Sequence, residues 1–184
     1  MDNKYQTIVK RWWQSMMLSP ERLKELHIQP APSAYRAQLK RCESADAAML
    51  TEAFRTLWMK ISEEETDAKQ YQDIECWATI AVALSHIRGE SDNSLATVAG
   101  RKGDGDKSTV SELRFSQLQS AKTPDELLRR LRRILMQVKG DVSVNLLAKD
   151  VYQWFLEQKQ QRPRQATSRI AVKWAMDYYR AAPH

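Results

Sequence analysis

Apolar residues recur every three or four positions along nearly the whole chain, which is the pattern of amphipathic α-helices. Residues 5–18 carry a wide stripe that includes Trp12, Trp13 and Met16, and residues 127–138 repeat leucine and isoleucine at the same spacing. Residues 76–84 are almost continuously apolar, which predicts a helix buried on most sides. The pattern predicts an all-α fold of about eight to nine helices in two small bundles, or lobes, packed together.

Side chains that cap helix N-termini punctuate this pattern. Thr123-Pro124-Asp125-Glu126 combines a capping box with proline at the first helical position. Thr109 and Glu112 have the same capping-box spacing. Further helix starts are expected at Ser19, Ser33, Ser44, Thr66, Ser143 and Thr167.

Four of the five glycines lie in residues 89–107. This stretch is expected to be irregular and mobile, with at most a short helix around residues 95–99. It is the predicted boundary between an N-terminal helical lobe, residues 1–100, and a C-terminal helical lobe, residues 101–184.

Composition narrows the class of protein. Hydrophobic residues are 42% and charged residues 28% of 184, which is typical of a folded domain. No stretch approaches the roughly 20 apolar residues of a membrane span, and no secretory signal is seen. Cys42 and Cys76 lie far apart. Free thiols and a cytoplasmic location are expected.

Motifs for catalysis or metal binding are absent from the sequence. The histidines His27, His86 and His184 are scattered, and none pairs with a cysteine or carboxylate at metal-ligand spacing. His86 follows an apolar run and is interpreted as a packed histidine. Residues 63–67 are interpreted as a charged connector rather than a cation site. Neither enzymatic activity nor a cofactor is expected.

Charge is segregated along the chain. Residues 61–100 have net charge −6 and residues 101–184 have net charge +8. Within the second region, the apolar stripe of one helix forces four neighbouring arginines onto its flanks and outer face; they are Arg129, Arg130, Arg132 and Arg133. Such a cluster favours a phosphate backbone as partner. Pairing with carboxylates of other helices is the alternative.

Other basic residues could extend this cluster. Arg36, Lys40 and Arg41 share one short helix, and the break at Pro163 is surrounded by Lys159, Arg162, Arg164, Arg169 and Lys173. The six tryptophans could stack on bases, but all fall on apolar helix faces, so core packing is favoured.

Seven segments resemble, in order, the CasB family, the small subunit of the type I-E CRISPR surveillance complex Cascade. They are residues 35–42, 82–86, 94–96, 114–118, 125–132, 147–154 and 172–179. Ala96 stands where the family usually has glycine, Lys40 stands where arginine is common, and residues 100–107 resemble an insertion.

The resemblance implies a non-enzymatic helical subunit that contacts the backbone and large subunits of Cascade, crRNA, target DNA and a second copy of itself, with no membrane. Its basic surface would hold target DNA or the displaced strand without reading sequence. The residues expected to bind nucleic acid are Arg36, Lys40, Arg41, Arg114, Arg129, Arg130, Arg132, Arg133, Arg162, Arg164, Arg169 and Lys173.

A second interpretation stays open at this point. The basic face could dock acidic protein neighbours and never meet phosphate, which would make the chain a protein-interaction scaffold. An enzyme is the least supported alternative.

Overall fold

The computed structural model describes residues 1–63, 73–103 and 105–183. Over these residues the chain is all-helical, as predicted, with eleven α-helices and no strand. The helices are α1 (Asn3–Met17), α2 (Pro20–Glu25), α3 (Ala34–Arg41), α4 (Ala45–Met49), α5 (Glu52–Ser62), α6 (Ile74–Ser85), α7 (Leu95–Gly100), α8 (Glu112–Gln119), α9 (Pro124–Gln137), α10 (Val144–Gln158) and α11 (Ile170–Ala181). A short 3₁₀ turn, Ala166–Ser168, precedes α11.

The predicted number of helices is too low. One reason is that residues 44–61, predicted as a single helix, form α4 and α5. The hydroxyl of Thr51 accepts a hydrogen bond from the backbone N–H of Phe54 at 3.1 Å, so a second N-terminus begins there. The predicted start at Thr66 lies outside the described residues, as do Glu64, Glu65, Asp67, Asp104 and His184.

Helix α6 is the centre of the fold. Every residue from Cys76 to Ser85 is buried, as the apolar run predicts. Helices α3, α4, α5, α9 and α10 all pack against α6. Since α9 and α10 follow the predicted lobe boundary and the others precede it, one hydrophobic core spans both parts of the chain. The division into two lobes stays a prediction.

Tryptophan side chains fill much of this core. Five of the six are buried, and Trp58 is partly buried against Phe54. The ring of Trp77 lies between those of Tyr5 and Tyr152, at centroid distances of 5.5 and 5.6 Å. The interpretation of the tryptophans as core residues is confirmed. Cys42 and Cys76 are buried free thiols, as expected.

The short helix that could form around residues 95–99 is present as α7, within residues 89–107. Within them, α7 packs against α11 and buries Leu95, Ala96, Val98 and Ala99. The helices approach so closely at Gly100 that a Cβ atom there would lie 2.2 Å from the carbonyl oxygen of Tyr178. The glycine that suggested flexibility in the sequence is required instead by close packing.

A predicted helix start is correct where a side chain next to it in sequence caps the helix. It is wrong where a residue distant in sequence determines the start. Thr123 accepts a hydrogen bond from the N–H of Glu126, as its capping box predicts. The box at Thr109 is wrong, because the Thr109 hydroxyl donates to the carbonyl of Arg101 instead. The start at Thr167 is also wrong: α11 begins at Ile170, whose N–H donates to the carboxylate of Glu157 at 2.8 Å.

The close approach at Gly100 generates a stability prediction. Gly100→Ala is expected to lower the free energy of unfolding by about 1–3 kcal/mol, because the added methyl group must push α7 away from α11. Urea denaturation of the purified protein measures the change. Gly89→Ala is the matched control, since a Cβ atom at Gly89 meets no atom within 4 Å. Equal stability of the two variants would contradict the prediction.

Candidate nucleic-acid interface

Basic side chains converge on the C-terminal end of α6. Arg36 of α3 donates from Nε to the carbonyl oxygen of Ser85, the last residue of α6, at 3.3 Å. Arg132 of α9 donates to the carbonyl oxygens of Lys40 and Cys42, at 3.2 and 3.0 Å. These carbonyls lie at the ends of α6 and α3, where the last turns lack helical partners and carry partial negative charge. Helix ends therefore hold both guanidinium groups in place.

The cations at this end of α6 act on one another. Burial lowers the pKa of Arg36, and the neighbouring charge of Arg88 lowers it further. Burial also lowers the pKa of Lys40, with further contributions from Arg36 and Arg88. Among the described residues, none of these three side chains forms an ion pair with a carboxylate. The cluster therefore keeps its positive charge.

His86 lies directly beneath this cluster. Its pKa is lowered to about 4, first by burial and then by the charges of Arg132, Lys40 and Arg36. Its Nε2 atom is buried and has no hydrogen-bond partner among the described residues. The imidazole is therefore neutral near pH 7. The interpretation of His86 as a packed histidine is correct, but the residue packs beneath a charged surface rather than in the apolar core.

Two of the four arginines of α9 lie towards neighbouring helices on two sides, and Arg129 and Arg133 are exposed. Arg132 faces α3, and Arg129 lies about one turn before it on the same side. Arg130 faces α8, where it donates to the carbonyl of Gln117 and to the hydroxyl of Ser120 and pairs with Glu126. All four lie outside the apolar stripe, as predicted, but Arg130 and Arg132 are partly buried and hold neighbouring elements together.

We define the basic surface as Arg36, Lys40, Arg88 and Arg132, with His86 beneath it. The sequence indicated Arg36, Lys40 and Arg132 as binding residues but not Arg88, and it indicated His86 only as a packed histidine. Their positions in the sequence could have indicated both residues. His86 and Arg88 directly follow the buried helix α6, and the basic helix α3 packs against α6.

The other predicted binding residues lie elsewhere. Arg114 donates to the side chain of Gln137 at 2.5 Å, and Arg169 donates to the carbonyl of Pro163 at 3.4 Å. Arg41, Arg133, Arg162 and Arg164 are exposed. Across the part of the chain that the structure describes, no hydrogen bond or ion pair joins these residues to the basic surface.

Lys173 has a structural contact. Its ammonium group lies 2.7 Å from the carboxylate of Asp150, which is 2% exposed. Trp174 donates from Nε1 to the same carboxylate at 2.8 Å. Burial raises the pKa of Asp150, while Lys173 and Trp174 act against that rise. Lys173 therefore compensates a buried charge.

The opposite end of α6 is acidic. Burial raises the pKa of Glu75, in the first turn of α6, and the charges of Asp46 and Asp125 raise it further. Lys159, which pairs with Asp73, acts against this rise but is the one cation among the described residues that does so. These carboxylates lie in the first turns of α4 and α9. Negative side chains at helix N-termini are favourable. The two ends of α6 thus carry opposite charge.

Comparison with known families identifies the chain. The family model of the CRISPR-associated protein Cse2 matches residues 35–179. The chain belongs to the Cse2 family. This confirms the resemblance to CasB, the same small subunit, and makes the protein a subunit of the CRISPR Cascade complex. The matched residues include all four cations of the basic surface, whereas α1 and α2 precede them.

Other comparisons add no relative. Neither the curated proteins nor the solved structures contain a significant match to this Cse2 chain. Among the described residues, no helix is long and apolar enough to cross a membrane. The same residues contain no group of three or more side chains suited to hold a metal ion.

The lowered pKa of His86 predicts a pH-dependent stability. An unfolded histidine titrates near 6.5, so the unfolded state binds more protons than the folded state between about pH 6.5 and the folded value of about 4. The free energy of unfolding should therefore decrease as pH falls through this window. His86→Gln should flatten that dependence in urea denaturation series at matched ionic strength. An unchanged slope would contradict the prediction.

The pair of Lys173 and Asp150 predicts a compensating double substitution. Lys173→Met leaves the carboxylate of Asp150 buried without its cation and should lower the melting temperature. Asp150→Asn in the same chain removes that charge and keeps an acceptor for Trp174, so it should restore much of the loss. If the double variant melts no higher than Lys173→Met, the ion pair is not what Lys173 contributes.

Proposed function

We propose that this Cse2 protein is a non-catalytic Cascade subunit that binds the phosphate backbone of nucleic acid through the basic surface. The observation that supports this most directly is the convergence of Arg36, Lys40, Arg88 and Arg132 on the place where α3 and α6 end. Helix carbonyls, not carboxylates, hold the two guanidinium groups that contact protein there. A polyanion would relieve the mutual repulsion of these cations.

Such a surface binds without reading sequence. Phosphate contacts fix position and orientation on nucleic acid, whereas specificity requires contacts to base edges or to a deformed duplex. The buried tryptophans are unavailable as a stacking platform for bases. The surface is thus suited to hold target DNA, or the strand displaced during R-loop formation, while the guide RNA supplies sequence recognition.

The proposal includes the other partners that the resemblance to the family implies. The protein assembles with the backbone and large subunits of Cascade, crRNA, target DNA and a second copy of itself in the cytoplasm, and its helices form two lobes. The acidic end of α6 repels phosphate, so it would orient the subunit with its basic surface towards the nucleic acid.

A protein-only scaffold is the second candidate function. The separation of charge along α6 favours it, because a basic surface can also dock an acidic surface of a neighbouring subunit. The two functions predict different behaviour towards free nucleic acid. A phosphate-binding subunit binds it with an affinity that falls as salt rises, whereas a protein-only scaffold does not bind it.

A double substitution on the basic surface tests the proposal. Lys40→Gln/Arg88→Gln removes two cations whose side chains form no hydrogen bond or ion pair with any described residue, so the fold should persist. Binding to mixed-sequence duplex DNA should weaken similarly for all sequences. The slope of log affinity against log salt should become shallower by about 0.9 per lost phosphate contact. Filter binding of the purified protein at several salt concentrations measures both.

The matched control is Lys24→Gln/Lys149→Gln. It removes the same charge from exposed lysines outside the basic surface. If both double variants change affinity and slope equally, net charge alone explains the binding. If the wild-type protein binds no DNA but still restores target binding to Cascade assembled without it, and the Lys40/Arg88 variant fails to join the complex, the scaffold function is correct.

A further inference from the structure

His86 occupies a position that the proposed function does not use. It follows the last residue of α6, and its backbone carbonyl lies against the turn at Gly140, where a Cβ atom would come within 2.5 Å of that oxygen. The N–H of Arg88 donates to the carbonyl of Gly140 at 3.1 Å, which fixes the segment after α6. The segment that carries the imidazole is thus held in place, and the Nε2 atom of His86 is buried without a hydrogen-bond partner among the described residues.

We propose that His86 couples phosphate binding to proton uptake: a phosphate seated on Arg36, Lys40 and Arg132 neutralises the charges that face the imidazole, and the imidazole then accepts a proton. This inference rests on the proposed function. It adds a regulation of the same surface, in which nucleic acid binds more tightly as pH falls.

The charged groups around His86 lie on two helices, in its own segment and in the turn at Gly140. Helix α3 contributes Arg36 and Lys40, and α9 contributes Arg132. Arg88 follows His86 in its own segment, and Lys139 and Asp141 flank Gly140 in the adjoining turn. Burial raises the pKa of the Cys42 thiol, which follows α3, so it stays neutral in acid.

The direction of the coupling follows from these charges. In the free protein, burial and three cations keep the pKa of His86 at about 4. A phosphate placed on those cations adds negative charge near the imidazole and raises that pKa towards the ordinary value of 6.5. The complex then binds more protons than the free protein, so affinity increases as pH falls below the bound value and is flat above it.

The expected size can be calculated from the two pKa values. A bound pKa equal to the ordinary 6.5 would make affinity at pH 5 about 25-fold higher than at pH 7.5, which is the upper limit. Because burial is the largest cause of the lowered pKa and persists in the complex, the measured ratio should lie between one and that limit.

The experiment measures binding of a radiolabelled, mixed-sequence duplex oligonucleotide to the full chain at pH 5 and pH 7.5, at constant ionic strength. His86→Gln should bind with an affinity ratio close to one between the two pH values. His27→Gln removes an exposed histidine on the α2–α3 connection and should retain the wild-type ratio. The imidazole signal of His86 in NMR spectra should titrate at higher pH with oligonucleotide than without it.

The outcomes separate the coupling from the proposed function. If the protein and His86→Gln both bind the oligonucleotide with the same pH ratio, or the His86 signal titrates unchanged, the coupling is wrong and the binding surface stands. If the wild-type chain binds no oligonucleotide at either pH, the proposed function and the coupling both fail. Should His86→Gln not fold, the NMR titration of the wild-type chain decides the question alone.

Discussion

The complete burial of helix α6 is the constraint on which the structure depends. A helix without a polar face can exist in water only if other elements cover every side, and α3, α4, α5, α9 and α10 do so. Covering also has to reach the end of the helix, where the last carbonyls have no helical partner. Arg36 meets one of these at Ser85. The requirement to close the core thus brings a cation to the place where Arg132, Lys40 and Arg88 are also found.

Arg36 and Arg132 bind backbone carbonyls rather than carboxylates, and this has an electrostatic consequence. A helix end carries about half an elementary charge spread over several oxygens, so it orients a guanidinium group without cancelling it. The ion pair of Lys173 with Asp150 shows the opposite case, because a full negative charge in the core consumes the cation that meets it. Arg36 and Arg132 are partly buried, but carbonyls rather than carboxylates bind them. Their positive charges therefore still contribute to the electrostatic potential outside the protein.

The sequence predicts features that nearby residues determine and misses those that distant residues determine. The capping box at Thr123 and the buried run of α6 are local, and both are correct. The start of α11 depends on Glu157 of another helix, and the hydroxyl of Thr109 is taken by Arg101, so neither could be predicted from spacing. The same holds for the site. The sequence shows the arginines of α9 as a cluster, because they are neighbours in the chain. Only the tertiary structure shows that Arg132 contacts α3, that Arg130 contacts α8, and that His86 and Arg88 belong to the site.

Helix α1 lies before the segment that the Cse2 family model matches, yet its buried face belongs to the shared core. Val9, Trp12 and Trp13 are buried, α1 packs on α5 and α10, and the indole N–H of Trp12 donates to the carbonyl of Ala53 at 3.3 Å. A chain shortened to the matched segment would present apolar flanks of α5 and α10 to water and leave that carbonyl without its indole donor. The recognisable family segment and the cooperative folding unit are therefore different lengths of the same polypeptide, and the N-terminal helix belongs to the second.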